Sequence, residues 1–111
     1  MHSTRQPGSD PDIVFISIGR NFDFRLRDQF LRACRRAQLS RARKIVIDLA
    51  RTRRLHESGL ALLMMMHDRA WCLRDGIELI NCSAPLRARF NRDVCPGIFS
   101  LPIGDQLRPG L

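Results

Sequence analysis

Residues 44–49, which read Lys-Ile-Val-Ile-Asp-Leu, decide the fold of this chain. The β-branched run of residues 45–47 favours a short strand, and its lack of polar residues indicates burial on both faces. A basic, turn-rich loop follows, and Ser58 and Gly59 then open an apolar segment with helical spacing. This order of strand, loop and helix is typical of a parallel α/β sheet. It places the Ser58 hydroxyl at a helix N-terminus, near the C-terminal edge of the sheet.

The rest of the chain repeats the alternation of strands and helices. Residues 13–18 and 77–80 have the composition of further strands, and we expect the first of them to be buried on both faces. Apolar residues recur at helical spacing from about residue 23 to residue 39. A second helix is expected over residues 58–73 and should stop near Gly76. Together these segments predict helical crossovers between parallel strands.

A third helix should follow the last of these strands, because Ser83 is a good N-cap and Pro85 suits a first helical turn. Residues 99–103 are compatible with an edge strand. The sequence therefore predicts one α/β domain with a mostly parallel central sheet covered by helices. We expect the domain to span residues 12–104, between a disordered leader (1–11) and a flexible tail (105–111). Four strand residues should be buried in its core: Val14, Ile16, Val46 and Leu79.

The net charge of +8 would attract nucleic acid or an acidic protein surface, and charge alone does not separate the two. The arginines are spread over several predicted elements. Aromatic residues make up 6% of the chain, and they are not interleaved with the arginines as a base-stacking platform requires. We therefore favour a protein partner and keep a basic nucleic-acid-binding module as the second hypothesis.

The chain lacks the signals of export or membrane insertion. No stretch approaches the roughly 18 apolar residues of a membrane span, and residues 1–11 have no apolar centre. We predict a cytoplasmic protein with no membrane association. The four cysteines are widely spaced and form no Cys-x-x-Cys pair, so reduced, structural thiols are expected. Cys34 and Cys72 fall in apolar helical stripes, where buried thiols are common.

Catalytic, metal and cofactor sites find no support in the sequence. A nucleophile elbow around Ser58 would need glycines where His56 and Leu60 stand, and the neighbouring His56 and Glu57 are poorly placed to form a triad. His67 and Cys72 lie too far apart around a helix to share a metal, and no glycine-rich phosphate loop is present. The prediction is a binding protein without a cofactor, not an enzyme.

The order of these segments resembles the STAS domain, the fold of the bacterial anti-sigma factor antagonists, over about residues 13–103. Residues 18–23 resemble the strand-end glycine and the segment that leads into the first helix. Residues 45–49 match the buried strand that ends in Asp-Leu. Residues 58–60 match the end of the Asp-Ser-Ser-Gly or Asp-Ser-Thr-Gly motif. Residues 77–83 resemble the strand and turn before the third helix.

The resemblance implies a partner and a switch. In that family an anti-sigma factor/serine kinase phosphorylates the second hydroxyl residue of the motif, which aligns with Ser58, and a phosphatase, here of the PP2C type, reverses it. The unphosphorylated domain binds the anti-sigma factor and frees the sigma factor. The implied partner-binding residues are Asn21, Asp23, Asp48, His56, Glu57, Ser58, Gly59 and Leu60. We expect Gly59 to be exposed and to allow close approach of the partner, so that Gly59→Arg would abolish binding but leave the fold intact.

The chain departs from the family motif at two positions. His56 stands where the motif has its aspartate, and Glu57 replaces the first hydroxyl residue. The added charge of Glu57 opposes phosphorylation of Ser58, by roughly a few tenths of a kcal/mol at an exposed site. A STAS interaction scaffold that does not switch, acting in another signalling assembly, is therefore a further alternative.

Overall fold

The computed structural model of the protein describes residues 12–70, 72–94 and 99. Its main sheet consists of strands β1 (Ile13–Ser17), β3 (Lys44–Asp48) and β5 (Ile77–Ile80), in the order β1-β3-β5. All neighbours are parallel, with Val14 opposite Ile45 and Ile47 opposite Leu79. Strand β2 (Asn21–Phe22) and strand β4 (Arg54–Leu55) form a second, two-stranded parallel sheet. The predicted parallel α/β fold is confirmed.

The core lies on the face of the main sheet that carries alternate residues of each strand. The four residues predicted to be buried are all buried: Val14, Ile16, Val46 and Leu79. Val46 is buried outside the main hydrophobic cluster and points to the opposite face, as does the Lys44–Glu78 ion pair that joins β3 to β5.

Strand β1 differs from its prediction. Only Val14 and Ile16 of the strand are buried, whereas Ile13 and Phe15 are half-buried and Ser17 is exposed. Among the described strands, β1 is hydrogen-bonded only to β3, so it lies at an edge of the sheet. The face of β1 that carries Ile13, Phe15 and Ser17 is less covered than the faces of the central strand β3. A continuous apolar run does not distinguish these two positions in a sheet.

Helix α1 (Arg27–Ser40) follows a 3₁₀ helix at Phe24–Leu26, and it buries Phe30, Ala33, Cys34 and Ala37 at helical spacing, as predicted. Helix α2 (Glu57–Arg69) starts one residue before the predicted start and ends earlier than predicted. Ala70 and Leu73 are still buried, so the apolar pattern continues although the helix has ended. Gly76 does not end the helix; it takes a φ of +71° in the turn before β5.

Helix α3 (Ala84–Asp93) confirms the predicted start signals. The Ser83 Oγ accepts a hydrogen bond from the Leu86 N–H at 3.4 Å, and Pro85 lies in the first turn. Leu86 and Phe90 are buried in the main core. The predicted leader (1–11), edge strand (99–103) and tail (105–111) lie outside the described residues apart from Phe99, which is buried.

None of the helices within the described residues is long and apolar enough to span a membrane. Cys34 and Cys82 are buried free thiols, and burial raises the pKa of the Cys82 thiol to about 11, which makes it unreactive. The expected burial of Cys72 is wrong. Cys72 is exposed, because α2 ends before it and the chain has left the apolar helical stripe.

Candidate partner-binding site at the start of α2

The two-stranded sheet brings two helix starts together. Phe22 of β2 lies opposite Leu55 of β4, and the His56 N–H donates to the Phe22 carbonyl at 3.0 Å. Strand β2 leads directly into the 3₁₀ helix and α1, and β4 leads directly into α2. The sequence analysis missed this sheet, because two residues per strand give no periodic signal. The sheet fixes the spacing of the two helix starts at the C-terminal edge of the main sheet.

The first turn of α2 contains the candidate residues of the motif. His56 is the N-cap residue, but its side chain makes no capping hydrogen bond. Glu57 is the first helical residue and is exposed, which places a negative charge where the helix dipole favours it. Ser58 is therefore the second residue of the helix and not its N-cap.

The Ser58 hydroxyl links the two helix starts. Its Oγ accepts a hydrogen bond from the Phe24 N–H at 3.0 Å, across 34 residues of sequence, at an exposed position. A hydroxyl oxygen has two acceptor lone pairs and one proton. One lone pair and the proton of Ser58 are therefore left for a further partner. Ser58 itself is half-buried.

Gly59 contradicts the expectation of an exposed position. The residue is buried, and a Cβ added there would lie 2.3 Å from the Phe22 carbonyl oxygen and 2.8 Å from the Phe22 side chain. The close approach that Gly59 permits is therefore between α2 and this chain's own β2. The expectation that Gly59→Arg would leave the fold intact is wrong, because the backbone of β2 occupies the space that any side chain would need.

Arg25, the second residue of the 3₁₀ helix, holds the Asp23 side chain in place. Its carboxylate caps that helix by accepting from the Arg25 N–H at 3.0 Å, and it pairs with the Arg25 guanidinium at 2.8 Å. This side-chain hydrogen bond is the main reason that the pKa of Asp23 lies below its ordinary value. The Asp23 side chain is only 12% exposed, so it serves the local structure more than an incoming partner.

Asp48 lies at the end of β3 and takes part in a different contact. Its carboxylate accepts hydrogen bonds from the Ala50 N–H at 2.9 Å and from the Asn81 Nδ2 at 3.0 Å. The bond from Asn81 joins the ends of β3 and β5, whereas the bond from Ala50 is local to the turn after β3. Among the described residues, the structure does not connect Asp48 to the Phe24–Ser58 contact that unites the other candidates.

The loop between β3 and β4 is tied to the end of β1. Thr52 is buried, and its hydroxyl donates to the Gly19 carbonyl at 3.1 Å. The N–H groups of Arg53 and Arg54 both donate to the Arg20 carbonyl. An arginine of α3, Arg89, donates to the Leu55 carbonyl. The segment that precedes Ser58 therefore has little freedom to move.

The accessible apolar surface at this site comes from a residue that the sequence analysis did not select. Phe24, whose N–H binds Ser58, has 65% of its surface exposed. Leu60, which was expected to contact the partner, is half-buried and packs against the core. Phe24 lies two residues after the fully buried Phe22, a spacing that would put both side chains on the same face of a strand, so the sequence carries no signal for its exposure.

Comparison with known proteins assigns the family. A STAS-domain containing protein of Pseudomonas aeruginosa is 32% identical over 87 residues, which cover 78% of this chain and 85% of that protein. No sequence-family profile matches the chain. With this degree of identity over most of both chains, the protein belongs to the STAS-domain family.

The fold agrees with that of a solved structure. The anti-sigma factor antagonist SpoIIAA in its unphosphorylated form is similar over 85% of this chain and 83% of that chain, with a TM-score of 0.69 and 15% sequence identity. The likeness shows that the two chains share the STAS fold, as the sequence resemblance implied. At this identity it shows the fold alone.

Proposed function

We propose that this STAS-domain protein acts by binding another protein, as an anti-sigma factor antagonist, and not by catalysis. The proposed partner is an anti-sigma factor/serine kinase, and a PP2C-type phosphatase would reverse its action. The observation that carries the proposal is the contact between Ser58 and Phe24. It places a modifiable hydroxyl beside an exposed aromatic side chain, at the joined starts of two helices.

The contact surface that we propose combines Phe24 and Ser58 with the neighbouring exposed residues His56 and Glu57. Exposed aromatic residues are frequent anchors of protein–protein interfaces. Asn21, Asp23, Gly59 and Leu60 would support this surface from beneath, since each of them is buried or half-buried. Asp48 would not contact the partner directly. It would act through its hydrogen bond with Asn81, which joins the ends of β3 and β5.

The chemistry at Ser58 suits phosphorylation. The first turn of α2 presents the positive end of the helix dipole, which favours a phosphate. The exposed residues Arg51, Arg53 and Arg54 precede the helix and would offset the charge of Glu57. A phosphate on Ser58 would add negative charge and bulk next to Phe24, at the centre of the proposed contact. Partner binding would then be lost without unfolding the domain.

A binding titration tests the proposal. The purified anti-sigma factor/serine kinase of the source organism would be titrated by calorimetry with the wild-type protein, Ser58→Ala and Ser58→Glu. Wild type and Ser58→Ala should bind, and Ser58→Glu should not. Ser40→Glu is a matched control, because Ser40 is an exposed serine at the other end of α1. Equal binding by all four proteins would place the contact elsewhere.

A further inference from the structure

A second surface lies at the opposite end of the α1–α2 helix pair. A groove of about 430 Å³ runs along one face of α1 and reaches Arg69, the last residue of α2. Its lining residues are Leu31, Cys34, Arg35, Gln38, Leu39 and Arg69. Arg69 follows Ser58 by eleven residues on α2, which corresponds to about 16 Å along the helix axis. The groove is therefore separate from the candidate site.

The groove combines apolar and cationic side chains. Leu39 is 78% exposed, the largest exposed fraction among the large apolar side chains described, and Leu31 lies two turns before it on the same face of α1. A single exposed leucine needs no explanation, but two leucines lining one concavity provide an apolar contact area. Cys34 also lines the groove. It is buried, and burial raises the pKa of its thiol, so it contributes to the groove surface and is not a nucleophile.

The positive charge of the groove is not neutralised. Within the described ranges 12–70, 72–94 and 99, no acidic side chain pairs with Arg35 or Arg69, whereas arginines elsewhere pair with aspartates, as Arg43 does with Asp75. The two guanidiniums come from different helices and border the same cavity. With a net charge of +8 on the chain, this site would attract a negatively charged partner.

We propose that the groove between the ends of α1 and α2 is a docking site for an acidic protein segment that carries leucine-like apolar side chains. Its carboxylates would pair with Arg35 and Arg69, and its apolar side chains would cover Leu31 and Leu39. Charge complementarity selects the acidic character. The aliphatic surface of the exposed Leu39 and the half-buried Leu31 selects a protein over a nucleic acid, because a phosphate backbone gains nothing from such a surface. Among the described residues, no aromatic side chain on which a base could stack lines the groove. This site does not depend on the proposed role of Ser58.

The test uses the full chain and a synthetic probe. A fluorescein-labelled peptide that repeats Glu-Leu-Asp-Glu-Leu-Leu-Asp is titrated with the protein and followed by fluorescence anisotropy. Two control probes replace its acids with lysine or its leucines with serine. The acidic, leucine-containing peptide should bind, and both control peptides should bind at least about tenfold more weakly. Added salt should weaken the binding.

Matched variants locate the binding on the protein. Arg35→Glu combined with Arg69→Glu should weaken it by at least about tenfold, and Leu39→Ser by about tenfold. Arg32→Glu combined with Arg36→Glu makes the same charge change on α1 outside the groove, and it should leave the affinity within about twofold, as should Ser58→Glu. Circular dichroism verifies that each variant is folded; the changed arginines and Leu39 are exposed, and Ser58 is half-buried.

Three results would overturn the proposal. The first is no binding of the acidic peptide up to about 1 mM. The second is equal weakening by the Arg32→Glu, Arg36→Glu control and by the Arg35→Glu, Arg69→Glu variant, which would show attraction by net charge alone. The third is that a generic DNA duplex binds more tightly than the peptide and that Arg35→Glu combined with Arg69→Glu weakens the DNA binding. This result would assign the groove to nucleic acid. Because Ser58→Glu is expected to be neutral here, the failure of this proposal is distinguishable from failure of the proposed switch.

Discussion

The two ends of the α1–α2 pair differ in how tightly they are joined. At the N-terminal end, the Phe24 N–H binds the Ser58 Oγ, and Gly59 lies against the Phe22 carbonyl so closely that no side chain fits. At the C-terminal end, an open groove along α1 reaches Arg69 of α2, and Leu39 projects into solvent. The comparison indicates a division of roles. The tight end holds a small modifiable group in a fixed place, while the open end offers area to a partner.

The largest expected effect concerns the tight end. Gly59→Ala should lower the free energy of unfolding by about 3 kcal/mol, because the new Cβ would lie 2.3 Å from the backbone oxygen of Phe22, which cannot move without disrupting β2. An alanine within a helix would otherwise gain up to about 1 kcal/mol over glycine, so the sign of the change separates the two effects. Urea denaturation measures it.

Gly19→Ala is the control for this prediction. A Cβ at Gly19 has no atom within 4 Å, so the substitution should leave stability unchanged or raise it by up to about 1 kcal/mol. If Gly59→Ala is as stable as Gly19→Ala, the close contact between α2 and β2 does not exist.

The next effect is on binding at the same end. Ser58→Glu should weaken binding of the anti-sigma factor/serine kinase by at least about tenfold, or about 1.4 kcal/mol, because it places an unpaired charge in the proposed contact. Its melting temperature should change little, since the charge lies in the first turn of α2. Calorimetric titration and thermal unfolding measure the two quantities separately. Weakened binding together with a large fall in the melting temperature would indicate misfolding and not switching.

A smaller effect should follow from loosening the loop before Ser58. Thr52→Val keeps the shape of the side chain but removes the hydrogen bond to the Gly19 carbonyl, and it should cost about 1 kcal/mol of stability. Amide hydrogen exchange should increase over residues 50–56, while the groove at the ends of α1 and α2 stays as protected as before. Increased exchange at both ends would show that the two regions are not independent.

The smallest effect is a pH dependence. The Arg25 hydrogen bond holds the pKa of Asp23 below its ordinary value of 3.8, so the folded state prefers the charged carboxylate. The resulting stability is present above the unfolded-state pKa and is lost as the pH falls through the folded-state pKa. Asp23→Asn should therefore reduce the loss of stability between about pH 5 and pH 2. Thermal unfolding over this range measures it.

Asp75→Asn gives the comparison at another position. Arg43 likewise lowers the pKa of Asp75, but the Asp75 side chain is 42% exposed, compared with 12% for Asp23, and only Asp23 also caps a 3₁₀ helix. Asp23→Asn should therefore have the larger effect. An equal or smaller effect would mean that the cap contributes nothing.

The fold could be predicted from the sequence because its strands and helices carry strong patterns. The β-branched residues of 44–49 and the capping signals at Ser83 and Pro85 act locally, so they are readable without a structure. The candidate site depends instead on contacts between distant segments. The Phe24–Ser58 bond spans 34 residues, and nothing local to Gly59 shows that Phe22 lies against it. For the same reason the groove at Arg35 and Arg69 was not predictable, since residues of two different helices line it.

The central claim is that Ser58, at the tight end, is a switch for partner binding. Phosphorylation of the intact protein tests this claim most directly. The wild-type protein and Ser58→Ala are incubated with the purified anti-sigma factor/serine kinase and ATP, and each product is analysed by intact mass and then titrated with the partner. We expect one added phosphoryl group on the wild-type protein, none on Ser58→Ala, and loss of binding only by the phosphorylated form. A protein that gains no phosphoryl group, gains one on Ser58→Ala, or binds equally well when phosphorylated would contradict the account.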